Sequence, residues 1–262
     1  MDKKAIFLEK SGSLGSLILN QPQKRNAISK SMWESLPNLL NEAENDDEIK
    51  VLIIRGIDGS AFAAGADISE FQKIHANIES SKQYNRIVHF AEQKLNLFTK
   101  PTIAMIQGPC VGAGCGIALA CDFRIADETS KFGITPANLG LVYSLYGTKL
   151  LVEKVGPSIA KDIIYSGRIL NSDEAIKIRL IDKLINSEQI ESETLNFCIS
   201  LSEKSQFTIK STKKIIQMIL NGSTSDNEES LELFDSAFQG EDFIEGTKAF
   251  LEKRKPIFNW KK

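Results

Sequence analysis

The chain has 262 residues, 42% of them hydrophobic and 25% charged, with a formal net charge of −2. That length suits one large core or one domain with an appendage, and the near-neutral balance leaves no electrostatic footprint for nucleic acid or an acidic membrane surface. No apolar run approaches the roughly 18 residues of a membrane span, and the opening MDKKAIFLEK lacks the apolar core of a signal peptide, so a cytoplasmic protein is expected.

The four cysteines, Cys110, Cys115, Cys121 and Cys198, show no C-x-x-C spacing. Three fall in one apolar stretch, which predicts buried reduced thiols rather than disulfides or metal ligands. His75 and His89 are the only histidines, too few to suggest an imidazole metal site.

In chain order, Ile6 to Glu9 and Leu14 to Asn20 flank Ser11-Gly12-Ser13, a hairpin signal. Ser29 reads as the N-cap of a helix carrying Met32, Trp33, Leu36, Leu39 and Leu40 at helical spacing. Val51 to Gly56, VLIIRG, has the composition of a buried strand. A loop from Ile57 to Ala66 feeds a short polar helix near Asp67, whose side chain suits an N-cap. Ser81 to Phe98 is a one-faced helix stopped by Pro101.

The centre of the chain is PTIAMIQGPCVGAGCGIALACDFRIAD, residues 101–127. Its parts read as a buried strand (Thr102 to Gln107), a glycine-rich turn (Gly108 to Gly116), an apolar helix (Ile117 to Cys121) and another strand (Phe123 to Ala126). A helix without a polar face is buried on all sides, so its uncapped N–H groups point into the protein. Small residues Gly112, Ala113 and Gly114 let another molecule approach them. From Ser144 onward the pattern is almost wholly helical. The segments are Thr148 to Val155, Ser158 to Tyr165, Ser172 to Ile178, Glu188 to Ser202, Thr208 to Leu220, Asn227 to Phe238 and Phe243 to Leu251. The division expected is an α/β core over 1–204 and a helical C-terminal region over 205–262.

Two glycine-marked loops follow two buried strands, Ala61 to Ile68 and Gly112 to Gly116. Taken alone, each reads as tight packing. Together, two converging backbone N–H groups make a place for a developing oxyanion. Gly112-x-Gly114 also mimics the start of a dinucleotide fingerprint, but Ile117 stands where the third glycine is needed, so nicotinamide and flavin are not expected.

These loops, with PQKRNAIS (22–29), FGITPANLGLVYS (132–144), GTKLLVEKVG (147–156), YSGRILNSDEA (165–175) and AFLEKRKPIF (249–258), resemble the crotonase, or enoyl-CoA hydratase/isomerase, superfamily in the family's order. The resemblance implies an α/β spiral of ββα units and a helical C-terminal region that makes trimers or dimers of trimers. It also implies a substrate that is an acyl-CoA thioester, with no separate cofactor because coenzyme A arrives on the substrate. The family's two oxyanion donors map onto the N–H groups of Ala66 and Ala113. Lys24, Arg25, Ala64, Asp67, Ile68 and Lys253 map along the CoA moiety.

The family's hydratases use two glutamates, and this chain has Gly116 and Pro136 at the matching positions. Neither residue can transfer a proton, so ordinary hydration is expected to be weak. TPANLG and the tyrosine at 143 are similar to methylmalonyl-CoA decarboxylases, in which Thr135 would contact substrate and Tyr143 would sit over the acyl group. Those enzymes have a histidine where Ala66 stands and a glutamate where Gly116 stands. The resemblance therefore leads to a lyase holding a thioester enolate, with decarboxylation of a malonyl-type thioester as the first reading. The alternatives are an enoyl-CoA hydratase/isomerase using a non-standard catalytic residue, or an inactive CoA-binding subunit. A core tyrosine with its hydroxyl satisfied by backbone is the structural alternative for Tyr143.

Overall fold

The computed structural model describes residues 4–259. The hairpin of β1 (Ile6–Ser11) and β2 (Leu14–Leu19) opens the chain. Helix α1 (Lys30–Asn45) follows, with the Ser29 hydroxyl accepting the N–H of Met32. Met32, Trp33, Leu36 and Leu40 form its buried face, as the helical spacing predicted. The chain continues through β3 (Val51–Gly56), the short α2 (Phe71–Ile74) and α3 (Ile78–Asn96), then β4 (Thr102–Ile106) and β5 (Pro109–Val111). Next come α4 (Ala113–Ala120), β6 (Phe123–Asp127), β7 (Lys131–Gly133) and α5 (Leu145–Ser166). The last part holds β8 (Leu170–Asn171), α6 (Ser172–Lys177), β9 (Lys183–Ile185), α7 (Ile190–Ser202), α8 (Gln206–Leu220), α9 (Glu228–Ala237) and α10 (Glu241–Leu251).

Two sheets organise these elements. The larger has the order β1-β2-β3-β4-β6-β9, parallel throughout except for the β1–β2 hairpin, and the smaller has the order β5-β7-β8. Successive turns of the chain place one strand in the large sheet and the next in the small one, β4 then β5 and β6 then β7, with α4 crossing back between them. The turn before follows the same path, because the stretch after β3 pairs with the small sheet through a parallel bridge from Ala63 to Cys110. This is the spiral of ββα units that the resemblance implies.

Two expectations change and one holds. The apolar helix begins at Ala113 rather than Ile117, so Ala113 to Gly116 form its first turn and only Pro109–Val111 and Gly112 precede it as strand and cap. Glycine costs about 1 kcal/mol against alanine in a helix, and burial of residues 114–120 outweighs that local preference. The region after Ser144 is not wholly helical, since β8 and β9 each add strand at a sheet edge. Two or three residues carry no periodicity, so only the neighbouring strand reveals them. The segments expected on either side of Gly156-Pro157 are two helical stretches of α5, parted by a kink where Gly156 takes a φ of 77° that no helix allows.

All four cysteines are buried and unbonded to one another. Among the described residues, no helix is long and apolar enough to cross a membrane, and no group of three or more His, Cys, Asp or Glu could hold a metal ion. Along α9 and α10 the side chains of Leu231, Phe234, Phe238, Phe243 and Phe250 are exposed.

Candidate active site

The two glycine loops lie against each other. The Ala63 N–H donates to Pro109 O at 2.9 Å, and the Val111 N–H donates to Ala63 O at 2.9 Å, which locks the first loop onto β5. On its other side the Ile28 N–H donates to Gly65 O at 2.8 Å, and the Asp67 N–H donates to Ile28 O at 2.9 Å. That parallel bridge uses the groups flanking Ala66 and turns the Ala66 N–H away from Ile28. Ala113 is the first residue of α4, where a helix has no internal acceptor for its N–H. Among the described residues neither the Ala66 nor the Ala113 N–H donates to a hydrogen bond, and both residues are half-buried.

Glycine makes this approach possible. A Cβ placed on Gly114 would lie 2.4 Å from Ala63 O, so only glycine lets the first turn of α4 press onto the first loop. Gly112 and Gly65 face each other, with a Cβ on Gly112 reaching 3.7 Å from the Gly65 Cα.

Ala113 also forms part of the wall of a cavity of about 660 Å³, which Trp33, Tyr84, Val88, Glu92 and Tyr143 help to line. Tyr143 lies between the turn Pro136–Leu139 and α5. Its ring is half-buried, its hydroxyl is covered, and that hydroxyl has no hydrogen-bond partner among the described residues. The backbone satisfaction expected of a core tyrosine is therefore missing. Burial, with the charge of Glu92 beside it, pushes the Tyr143 phenol well above its usual range, so at neutral pH it is a hydrogen-bond donor rather than a base.

Glu92 was not singled out in the sequence. It occupies the inward stripe of α3 with Tyr84, Ala91 and Leu95, and it is 6% exposed. Burial raises its carboxyl pKa to about 7. The available signal was an acidic residue on the face where Tyr84, Val88 and Leu95 repeat at helical spacing.

The family model for enoyl-CoA hydratase/isomerase matches residues 9–261. The chain belongs to that family. It is 31% identical over 257 residues to the crotonyl-CoA hydratase of Syntrophomonas wolfei, covering 97% of each chain. With the short-chain-enoyl-CoA hydratase of Clostridium acetobutylicum it shares 30% identity over 259 residues, again covering 97% of each. The crystal structure of a putative enoyl-CoA hydratase/isomerase family protein from Hyphomonas neptunium superposes with a TM-score of 0.96 at 39% identity, covering 98% of both chains.

The residues mapped along the CoA moiety of this family fall into one group and two outliers. Lys24, Arg25, Ala64, Asp67 and Ile68 come together on adjoining turns. The Lys24 ammonium meets the Asp67 carboxylate at 2.6 Å, and the Ala64 N–H donates to Arg25 O at 3.0 Å. Asp67 is a cap, as expected, accepting the Ser69 N–H at 3.1 Å. Burial raises its pKa, but hydrogen bonds from Lys24 and Ser69 outweigh that and hold the carboxyl below its usual range. Ile68 is exposed at the turn. Thr135 stands apart at the end of β7, half-buried, where its carbonyl closes the Pro136 turn by accepting the Asn138 N–H. Lys253 follows α10, and no hydrogen bond or ion pair joins it to the two loops among the described residues. Glu70 is engaged elsewhere, since its carboxylate accepts the Lys30 N–H at the start of α1 at 2.7 Å.

Proposed function

We propose that this protein acts on the double bond of an enoyl-CoA thioester, adding water across it or moving it along the chain. The observation that carries the reading is the pair of undonated N–H groups on Ala66 and Ala113, held by two interlocked loops beside a mostly apolar cavity. Polarising the thioester carbonyl there stabilises the enolate common to both reactions, and loss of one such donor typically costs about 10²- to 10³-fold in kcat. The CoA moiety would lie along Lys24, Arg25, Ala64, Asp67 and Ile68, with Thr135 nearer the acyl group.

This reading replaces decarboxylation as the first choice. Gly116 and Pro136 by themselves leave no carboxyl to move a proton, which points to decarboxylation, but Glu92 lines the cavity and supplies one. A buried carboxyl is also a poor neighbour for a malonyl carboxylate. The curated relatives are named as hydratases, which supports the same direction. An inactive CoA-binding subunit would have no use for two free donors and a buried carboxyl together. The unpartnered Tyr143 hydroxyl is the one feature that still favours CO₂ loss, because it could orient a departing carboxylate.

Crotonyl-CoA, a 3-enoyl-CoA and methylmalonyl-CoA assayed side by side separate these readings. Turnover of at least one enoyl thioester without CO₂ release is expected. Release of CO₂ from methylmalonyl-CoA with both enoyl thioesters untouched would restore the decarboxylase.

A further inference from the structure

The space beside the second donor is filled in an unusual way. Gly116 lies one helical turn into α4, with its N–H donating to Gly112 O at 3.0 Å. A Cβ placed on Gly116 would stand 2.3 Å from Glu92 Oε1 and 3.6 Å from the Tyr143 hydroxyl oxygen. A side chain at 116 would require the Glu92 carboxyl to swing aside, so the absence of a Cβ there leaves the room that this carboxyl fills. Among the described residues no hydrogen bond or ion pair engages the Glu92 carboxyl. A buried acid without a partner is a costly thing to keep on a packing face.

We propose that Glu92 is the acid–base residue of this enzyme, a carboxyl delivered from α3 into the room that Gly116 leaves on α4. The inference rests on the enoyl-thioester reading above. One carboxyl is enough to close either reaction. In hydration, the Glu92 carboxylate takes a proton from water as the water oxygen bonds to C3. The electron pair of the C2–C3 double bond moves through C2 to the thioester oxygen, held by the Ala66 and Ala113 N–H groups. The Glu92 acid then returns its proton to C2 and the thioester carbonyl re-forms. In isomerisation of a 3-enoyl thioester, the same carboxylate removes a proton from C2 to give the dienolate. It delivers that proton to C4, leaving the 2-enoyl product.

The titratable groups around Glu92 are few. Tyr84 and His89 share its helix, Cys115 comes from α4, and Tyr143, Tyr146 and Lys149 come from the start of α5 and the loop before it. Burial pushes the phenols of Tyr84 and Tyr146 up to about 12, and Lys149 is occupied by Asn221 and Glu153. With its own pKa raised to about 7, Glu92 holds both protonation states at neutral pH, which suits a group that takes and returns one proton.

Glu92→Gln tests this, because it keeps shape and burial while removing the titrating oxygen. Two readouts are needed: enoyl thioester turnover, and deuterium incorporation at C2 of butyryl-CoA in D₂O, which asks only for the donors and a base. The expected result is a loss of at least about 100-fold in both, with thioester affinity by calorimetry within about threefold. Wild-type kcat/KM should rise with pH, reach half its maximum near 7 and level off above it, and that limb should vanish in the variant. A Glu92→Gln enzyme as active as wild type, or one that keeps the limb, overturns the assignment and leaves the enoyl-thioester reading standing. A wild type inert in both turnover and exchange overturns the two together.

Discussion

The two proposed donors sit on loops that perform one task with different supports. Ala113 opens an eight-residue helix whose next seven residues are all buried, so its N–H is fixed by the core and reinforced by the helix dipole. Ala66 precedes a single 3₁₀ turn capped by Asp67, and Asp67 is held in turn by a lysine whose side chain is 43% exposed. One donor is anchored by packing and the other by a pair of hydrogen-bonded loops and a surface-facing ion pair. A packed donor is preorganised at no further cost when charge develops beside it, whereas the hold on the second depends on hydrogen bonds between loops and one partly exposed ion pair.

The strongest way to break that comparison is at Ala113. Ala113→Pro removes the N–H at a helix position that proline tolerates well, so the fold should survive by far-UV circular dichroism. Turnover of the enoyl thioester should fall about 10²- to 10³-fold, equivalent to about 2.7–4 kcal/mol. Wild-type turnover in a folded variant would remove Ala113 from the oxyanion site.

Gly114 tests the coupling of the two loops. Gly114→Ala puts a methyl group against the Ala63 carbonyl, which is backbone and cannot swing aside. Overpacking of this kind should destabilise the protein by about 1–3 kcal/mol in urea unfolding. Activity should fall as well, because the first loop shifts with Ala63. Unchanged stability together with unchanged activity would show that the loops move independently.

The smallest effect is expected at the ion pair. Asp67→Asn keeps a capping oxygen and loses the charge that faces Lys24, so thioester KM should change by at most about fivefold, or about 1 kcal/mol, with kcat nearly preserved. The sign with pH follows from a folded pKa below the unfolded value near 3.9. The Asp67 contribution is complete above that value and is lost as pH falls through the lower, folded one. Amide exchange over residues 64–70 should therefore be faster in Asp67→Asn at pH 6, and the difference should shrink below pH 4. A difference that does not shrink at all as pH falls below 4 would assign the loop's order to something other than this carboxylate.

Much of this was readable in the sequence because the relevant signals are local. The run VLIIRG, the Ser29 cap, the stripe of Met32, Trp33, Leu36 and Leu40, and the all-apolar helix each follow from the period of the backbone and the cost of exposing carbon to water. The glycine loops could be found for the same reason, since a tight turn or close approach demands glycine at a fixed place in the chain. Asp67 as a cap was also local, and the structure keeps it.

What the sequence could not supply was proximity. Lys183–Ile185 becomes a strand only because β6 presents an open edge to it, and Ala113 to Gly116 become helix only because burial on every side outweighs three residues of weak local preference. Glu92 and Gly116 are 24 positions apart in the chain, and each by itself is unremarkable: one more acid on a helix, one more glycine in a glycine-rich turn. Read singly, Gly116 is a missing carboxyl. The packing of α3 on α4 turns it into the room that a carboxyl occupies, because side-chain volume in a close-packed interior is shared between neighbours in space rather than along the chain.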